Sequence, residues 1–113
     1  MGSNRNVPLL RGTLDMLAMK ALSWGELHGY AIATWLEARS AGTVDVDDSA
    51  LYQALHRLEG RGLVEAEWGV TDTSRRARFY RLTASGRRHL ESESATWTRY
   101  ARSVSGILAL TGP

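Results

Sequence analysis

The sequence predicts a mainly α domain with one small β-hairpin, and three observations predict it. Apolar residues recur at helical spacing in four separate stretches, the period drops to two between residues 64 and 82, and glycines rather than prolines punctuate the chain. Both prolines, Pro8 and Pro113, lie near the ends, so no helix is interrupted internally. With 113 residues, 43% of them hydrophobic and 23% charged, the chain has the make-up of one globular domain and is too apolar for disorder.

The first helix carries Leu10, Leu14, Leu17 and Ala21 on one stripe, with Pro8 suited to its first turn. Ser23-Trp24-Gly25-Glu26 breaks it, and a second helix runs from about Leu27 to about Ala38 with Ala31, Ile32, Trp35 and Leu36 inside. Residues 40–48 hold Gly42 and an acidic cluster, and read as a connection with room for a short strand at Thr43-Val44. A third helix follows, with Asp48 or Ser49 as its cap, Leu51, Leu55 and Leu58 as its buried stripe, and Gly62 placed for a left-handed C-terminal stop. Val64, Ala66, Trp68 and Val70 then alternate with polar residues as a strand with one apolar face. Thr71-Asp72-Thr73-Ser74 is a turn, and Arg76 to Leu82 is the returning strand. Thr83 caps a last helix reaching to about Leu110.

Helix, helix, helix, hairpin, helix is the layout of a winged helix-turn-helix, whose third helix would read a major groove. Residues 1–83 are expected to form that DNA-binding unit and residues 84–113 a C-terminal dimerisation helix, the two making one structural unit.

Charge supports the layout. Net charge is only +2, but Lys20 is the sole lysine among 14 basic residues, and arginine supplies a planar fork of donors suited to phosphates and guanine edges. Residues 75–88 hold six arginines and no acid, so a modest total hides a strong local field. With the leucine stripe turned inward, Ser49, Tyr52, Gln53, His56 and Arg57 point outward. Gln53 is suited to adenine and Arg57 to guanine, while Ser49, Tyr52 and His56 can reach phosphates or base edges. At the hairpin, Arg75, Arg76 and Arg78 can lie along a flanking minor groove. Arg81, Arg87 and Arg88 either approach phosphates or pair with Glu65, Glu67 or Glu91. In the last helix, Leu90, Trp97, Ala101, Val104 and Leu108 form a heptad-like seam that a domain this small cannot cover alone, so a homodimer is expected.

Other classes of function find little support. With no cysteine, thiolate metal sites and thiol catalysis are excluded. His28, His56 and His89 lack the spacings of metal ligands, and His28, before Gly29-Tyr30, suits capping or packing. No Walker loop, dinucleotide fingerprint or nucleophile elbow is present. No enzyme, metal or cofactor is expected. No run is apolar enough to span a membrane, so no membrane partner is expected. Met1-Gly2-Ser3-Asn4-Arg5-Asn6 suits neither a signal peptide nor myristoylation, making the cytoplasm the expected location.

The residues also resemble a family. Leu9-Leu10-Arg11-Gly12-Thr13-Leu14-Asp15 and His28-Gly29-Tyr30 are similar to the opening of PadR-like transcriptional regulators. The likeness continues through Ala50-Leu51-Tyr52-Gln53-Ala54-Leu55-His56-Arg57-Leu58-Glu59, Gly62-Leu63-Val64-Glu65, Glu67-Trp68, Arg76 to Thr83, and Gly86. It covers residues 9 to about 97. The resemblance implies a homodimeric winged-helix repressor of double-stranded DNA, relieved by a small molecule, in the compact branch with a single C-terminal helix. In one such branch aromatic drugs lie between paired tryptophans at the dimer interface, which marks Trp97 as a candidate pocket residue for a small aromatic effector. Gln53 stands where the family usually has proline or a similar residue, so the operator is expected to differ. The rival reading is a winged helix used for protein docking or ligand sensing without DNA. The bare arginine run argues against it.

Overall fold

The computed structural model describes residues 12–113, so Leu10, Pro8 and the segment Met1 to Asn6 lie outside the described residues. The elements follow in the order α1 (Thr13–Ala21), a single 3-10 turn (Leu22–Trp24), β1 (Leu27–His28), α2 (Gly29–Arg39), α3 (Asp48–Gly60), β2 (Val64–Val70), β3 (Arg76–Leu82) and α4 (Ala84–Leu108). The hairpin strands pair antiparallel from Val64↔Leu82 to Val70↔Arg76. β1 joins the free edge of β3, antiparallel, through Leu27↔Tyr80 and His28↔Phe79, giving the order β1-β3-β2.

One core lies between the helices and the inner face of this sheet. Leu14, Ala18 and Met19 of α1, Ile32 and Leu36 of α2, and Leu51, Ala54, Leu55 and Leu58 of α3 meet Val64, Tyr80 and Leu82 of the hairpin. The stripe on α3 is apolar at i, i+3, i+4 and i+7, which buries one face and leaves the opposite one wet. Only the root of the hairpin joins the core. Along β2 one sheet face carries Val64 at 1% exposure, Ala66 half-buried, then Trp68 and Val70 at 59% and 67%, so the strand outruns the helices and its far half is a free wing.

Four local expectations are corrected. Asp47, not Asp48 or Ser49, caps α3, its carboxylate accepting from the Ala50 amide at 2.9 Å. Thr43-Val44 forms no strand, because the Val44 amide is satisfied by the Ser40 hydroxyl at 2.9 Å instead of a ladder partner. Residues 27–28, expected to start the second helix, form β1, and α2 begins at Gly29. α4 ends at Leu108, just short of Leu110. The C-terminal stop of α3 is as expected, with Gly62 at φ +72°, a conformation glycine adopts without strain.

The hairpin leads into α4 through one residue. The Thr83 hydroxyl donates to the Gly62 carbonyl at 2.8 Å and accepts from the Gly86 amide at 2.9 Å, tying the helix start to the end of α3. Gly86 lies so close to Leu63 that a Cβ there would sit 2.0 Å from its carbonyl oxygen. α1 packs on the near half of α4, where Leu90 is 9% exposed, and residues 91–108 are all exposed except half-buried Ala101.

Candidate nucleic-acid interface

α3 presents Ser49, Tyr52, Gln53, His56 and Arg57 on its exposed face, as its leucine stripe requires. Their surroundings divide them. The Tyr52 ring lies against the start of α2, where a Cβ on Gly29 would be 2.9 Å from its hydroxyl, and the side chain is 53% exposed. That contact fixes the ring while leaving one side open to a partner. Gln53, on the opposite flank of Tyr52, and His56, one turn on, are exposed.

Arg57 is engaged differently. Its guanidinium grips Asp15 of α1 with two hydrogen bonds, from Nη2 to Oδ1 at 2.7 Å and from Nε to Oδ2 at 3.3 Å. These bonds raise the guanidinium pKa above its ordinary value, so it stays charged in any working buffer. The pair ties the outer face of α3 to α1.

The wing arginines divide in the same way. Arg78, which faces Trp68 across the hairpin, donates from Nη2 to Glu59 in the last turn of α3 at 2.9 Å, and its Nε is buried without a hydrogen-bond partner. Arg81 bridges Glu65 and Glu67 at 3.0 and 3.4 Å, which settles its two sequence-level alternatives in favour of pairing. Arg87 donates to the Ser23 carbonyl at 3.2 Å. Arg75 and Arg76 are exposed, and neither has a carboxylate within ion-pair distance among the described residues. Arg76 instead stacks on Trp68, its guanidinium carbon 4.8 Å from the ring centroid. Trp68 is the exposed neighbour of Arg76 that the sequence reading did not single out. Its place in an alternating strand put it on the apolar face, and nothing in the alternation says where along that face the core ends.

His28 packs rather than caps: its ring lies 5.3 Å from that of Phe79, and its side chain makes no cap to α2. Beneath the wing, Tyr80 is 5% exposed, and this burial holds its pKa above the ordinary tyrosine value, with Arg78 opposing and Glu59 and Tyr52 adding to the rise.

Of the five residues expected along the α4 seam, Leu90 belongs to the chain's own core and is not available to a second copy. Trp97, Ala101, Val104 and Leu108 continue its stripe beyond the body, with Trp97 38%, Val104 37% and Leu108 78% exposed. The Trp97 ring lies 6.1 Å from that of Tyr100. A groove of about 790 Å³ runs along a neighbouring flank of α4, between Lys20 and Ser23 on one side and Leu90, Thr98 and Arg102 on the other. Trp97 does not line it. No helix among the described residues is long and apolar enough to cross a membrane, and none of their His, Asp and Glu side chains cluster as a metal site.

Known proteins with this arrangement agree. The sequence model of the transcriptional regulator PadR-like family matches residues 18–92. A transcriptional regulator of Mycobacterium tuberculosis is 38% identical over 82 residues, which is 72% of this chain and 72% of that protein. The crystal structure of a PadR family transcriptional regulator from Eggerthella lenta, 30% identical, superposes with a TM-score of 0.75 over 89% of this chain and 86% of that one. The structure of Bacillus subtilis PadR in complex with operator DNA, 25% identical, has a TM-score of 0.63 and overlaps 71% of this chain and 46% of its own. From the three-helix core with its wing to the start of α4, the chain belongs to the PadR-like family of transcriptional regulators, whose members are not enzymes.

Proposed function

We propose that this regulator is a homodimeric repressor that binds a palindromic operator in duplex DNA and is released by a small aromatic effector. The observation that carries the DNA reading is the pairing of an outward-facing α3 with a neighbouring wing whose Arg75 and Arg76 have no carboxylate partner among the described residues. Unpaired guanidinium groups are what a phosphate backbone attracts, and their neutralisation releases counterions. The operator complex of Bacillus subtilis PadR supports the same reading.

In this reading Gln53 and His56 supply base choice, with Ser49 and Tyr52 at the flank of the groove. Arg75 and Arg76 supply salt-sensitive affinity. Arg57 and Arg78, bonded to Asp15 and Glu59, hold the two reading elements in place. A second copy covers Trp97, Ala101, Val104 and Leu108, and two α3 helices about 34 Å apart then address two half-sites. The effector lodges beside the two Trp97 rings in that seam.

The test is a mobility-shift titration against the DNA upstream of the chain's own gene at two salt concentrations. Tight, salt-sensitive binding that an unrelated duplex does not compete for supports the proposal. Equal affinity for both duplexes, or none for either, refutes it.

A further inference from the structure

We infer that Trp68 is a positioning residue of the wing, whose exposed ring holds the Arg76 guanidinium ready for a nucleic-acid phosphate beside the end of α3. The inference rests on the DNA reading above and adds a residue to it. β2 alternates sides, so Trp68 shares its sheet face with Val64, which is buried, yet by Trp68 that face has left the core and the ring is 59% exposed. A lone exposed aromatic needs no explanation. Two further contacts give this one a role.

The first is its cross-strand neighbour. Trp68 pairs with Arg78, and Arg78 reaches Glu59 in the last turn of α3 at 2.9 Å. The face that carries Trp68 is therefore the one turned toward the C-terminal end of α3. The second is Arg76, two residues before Arg78 on the same face, stacked at 4.8 Å from the ring centroid. Arg57, Arg78 and Arg81 have carboxylate partners, whereas Arg76 has this ring. A ring orients a guanidinium without neutralising it. Arginine loses much rotamer freedom when it docks, and a stack made in advance removes part of that loss. The charge then stands ready for a phosphate.

The test uses the full chain and its operator duplex, with Trp68→Ala, Trp68→Phe, Arg76→Ala and the Trp68→Ala/Arg76→Ala double variant, all checked for native circular dichroism. Trp68→Ala is expected to weaken binding by about 3- to 30-fold, the range of a cation–π contact, without changing the salt slope, because Arg76 keeps its charge. Trp68→Phe is expected to restore most of the affinity. Arg76→Ala is expected to lower the slope by about one unit. The double variant is expected to bind no more weakly than Arg76→Ala, since Trp68 acts through that residue. In the free protein, the Arg76 side-chain protons are expected to show ring-current shifts that vanish in Trp68→Ala. Unchanged affinity of Trp68→Ala, or a full additional loss in the double variant, overturns the inference while leaving the DNA reading intact. A wild-type chain that ignores duplex DNA but shows the ring-current shifts overturns both, with the stack itself still real.

Discussion

The two-pronged bond between Arg57 and Asp15 makes a prediction that separates anchoring from base reading. The perturbation is a cycle of Asp15→Ala, Arg57→Ala and both together. The Arg57 side chain is 54% exposed, so solvent screens it and an ordinary surface pair would couple by about 0.2–1 kcal/mol. Asp15 is only 18% exposed and accepts two bonds from one guanidinium, a geometry that strengthens the pair. A coupling of about 1 kcal/mol is expected, measured as the non-additivity of unfolding free energies in urea. The same variants are then titrated against an operator and its single-base-pair changes. As an anchor, Arg57→Ala weakens all these duplexes alike. As a guanine reader, it loses about 1–3 kcal/mol at one base pair and leaves the others unchanged. A coupling below about 0.3 kcal/mol together with a loss confined to one base pair refutes the anchoring argument, since sites that do not interact add within that margin.

Three other predictions follow from the geometry. Gly86→Ala places a methyl group against the Leu63 carbonyl and is expected to cost at least about 1–3 kcal/mol, visible as a lower thermal midpoint, with little effect from Gly106→Ala, where nothing lies within 4 Å. Tyr80, whose folded pKa is raised by burial, contributes stability that is complete below the unfolded value of about 10 and lost as pH rises through the folded value. Tyr80→Phe is accordingly expected to remove part of the alkaline decline in stability, which a set of thermal melts between pH 8 and about pH 11 would reveal. Val104→Asp, in the exposed stripe of α4, is expected to yield single chains in light scattering with an intact circular dichroism spectrum. A dimer of unchanged strength would move the subunit contact elsewhere.

Much of the fold was legible because it rests on local patterns. The spacing of Leu51, Leu55 and Leu58 fixes which face of α3 is wet, and every residue assigned to that face is exposed. The Thr83 cap on the Gly86 amide and the Gly62 turn are both made within a few residues, so cap and stop were readable too. What escaped depends on distance in the chain. Arg57 and Asp15 are 42 residues apart, and Arg78 and Glu59 are 19 apart, so no window contains the pairs that turn outward arginines into braces. β1 is two residues long, too short for any period, and exists because β3 offers an edge. Leu90 and Trp68 share one cause of misassignment. A periodic stripe gives direction around its axis but not the point along it where the body of the protein ends, so Leu90 was counted with the dimer seam although it is buried, and Trp68 with the apolar face of β2 although it is exposed.

The joint at Thr83 sets how motion passes through the molecule. No slack separates β3 from α4, and Gly86 sits hard against Leu63, so the long helix and the hairpin root turn as one piece. A helix of 25 residues is about 37 Å long. Tilting such a lever by about 5° sweeps its far end through roughly 3 Å, close to one step along a DNA strand of about 3.4 Å. With the tip of α4 held fixed, the same tilt carries the hairpin root through that distance instead.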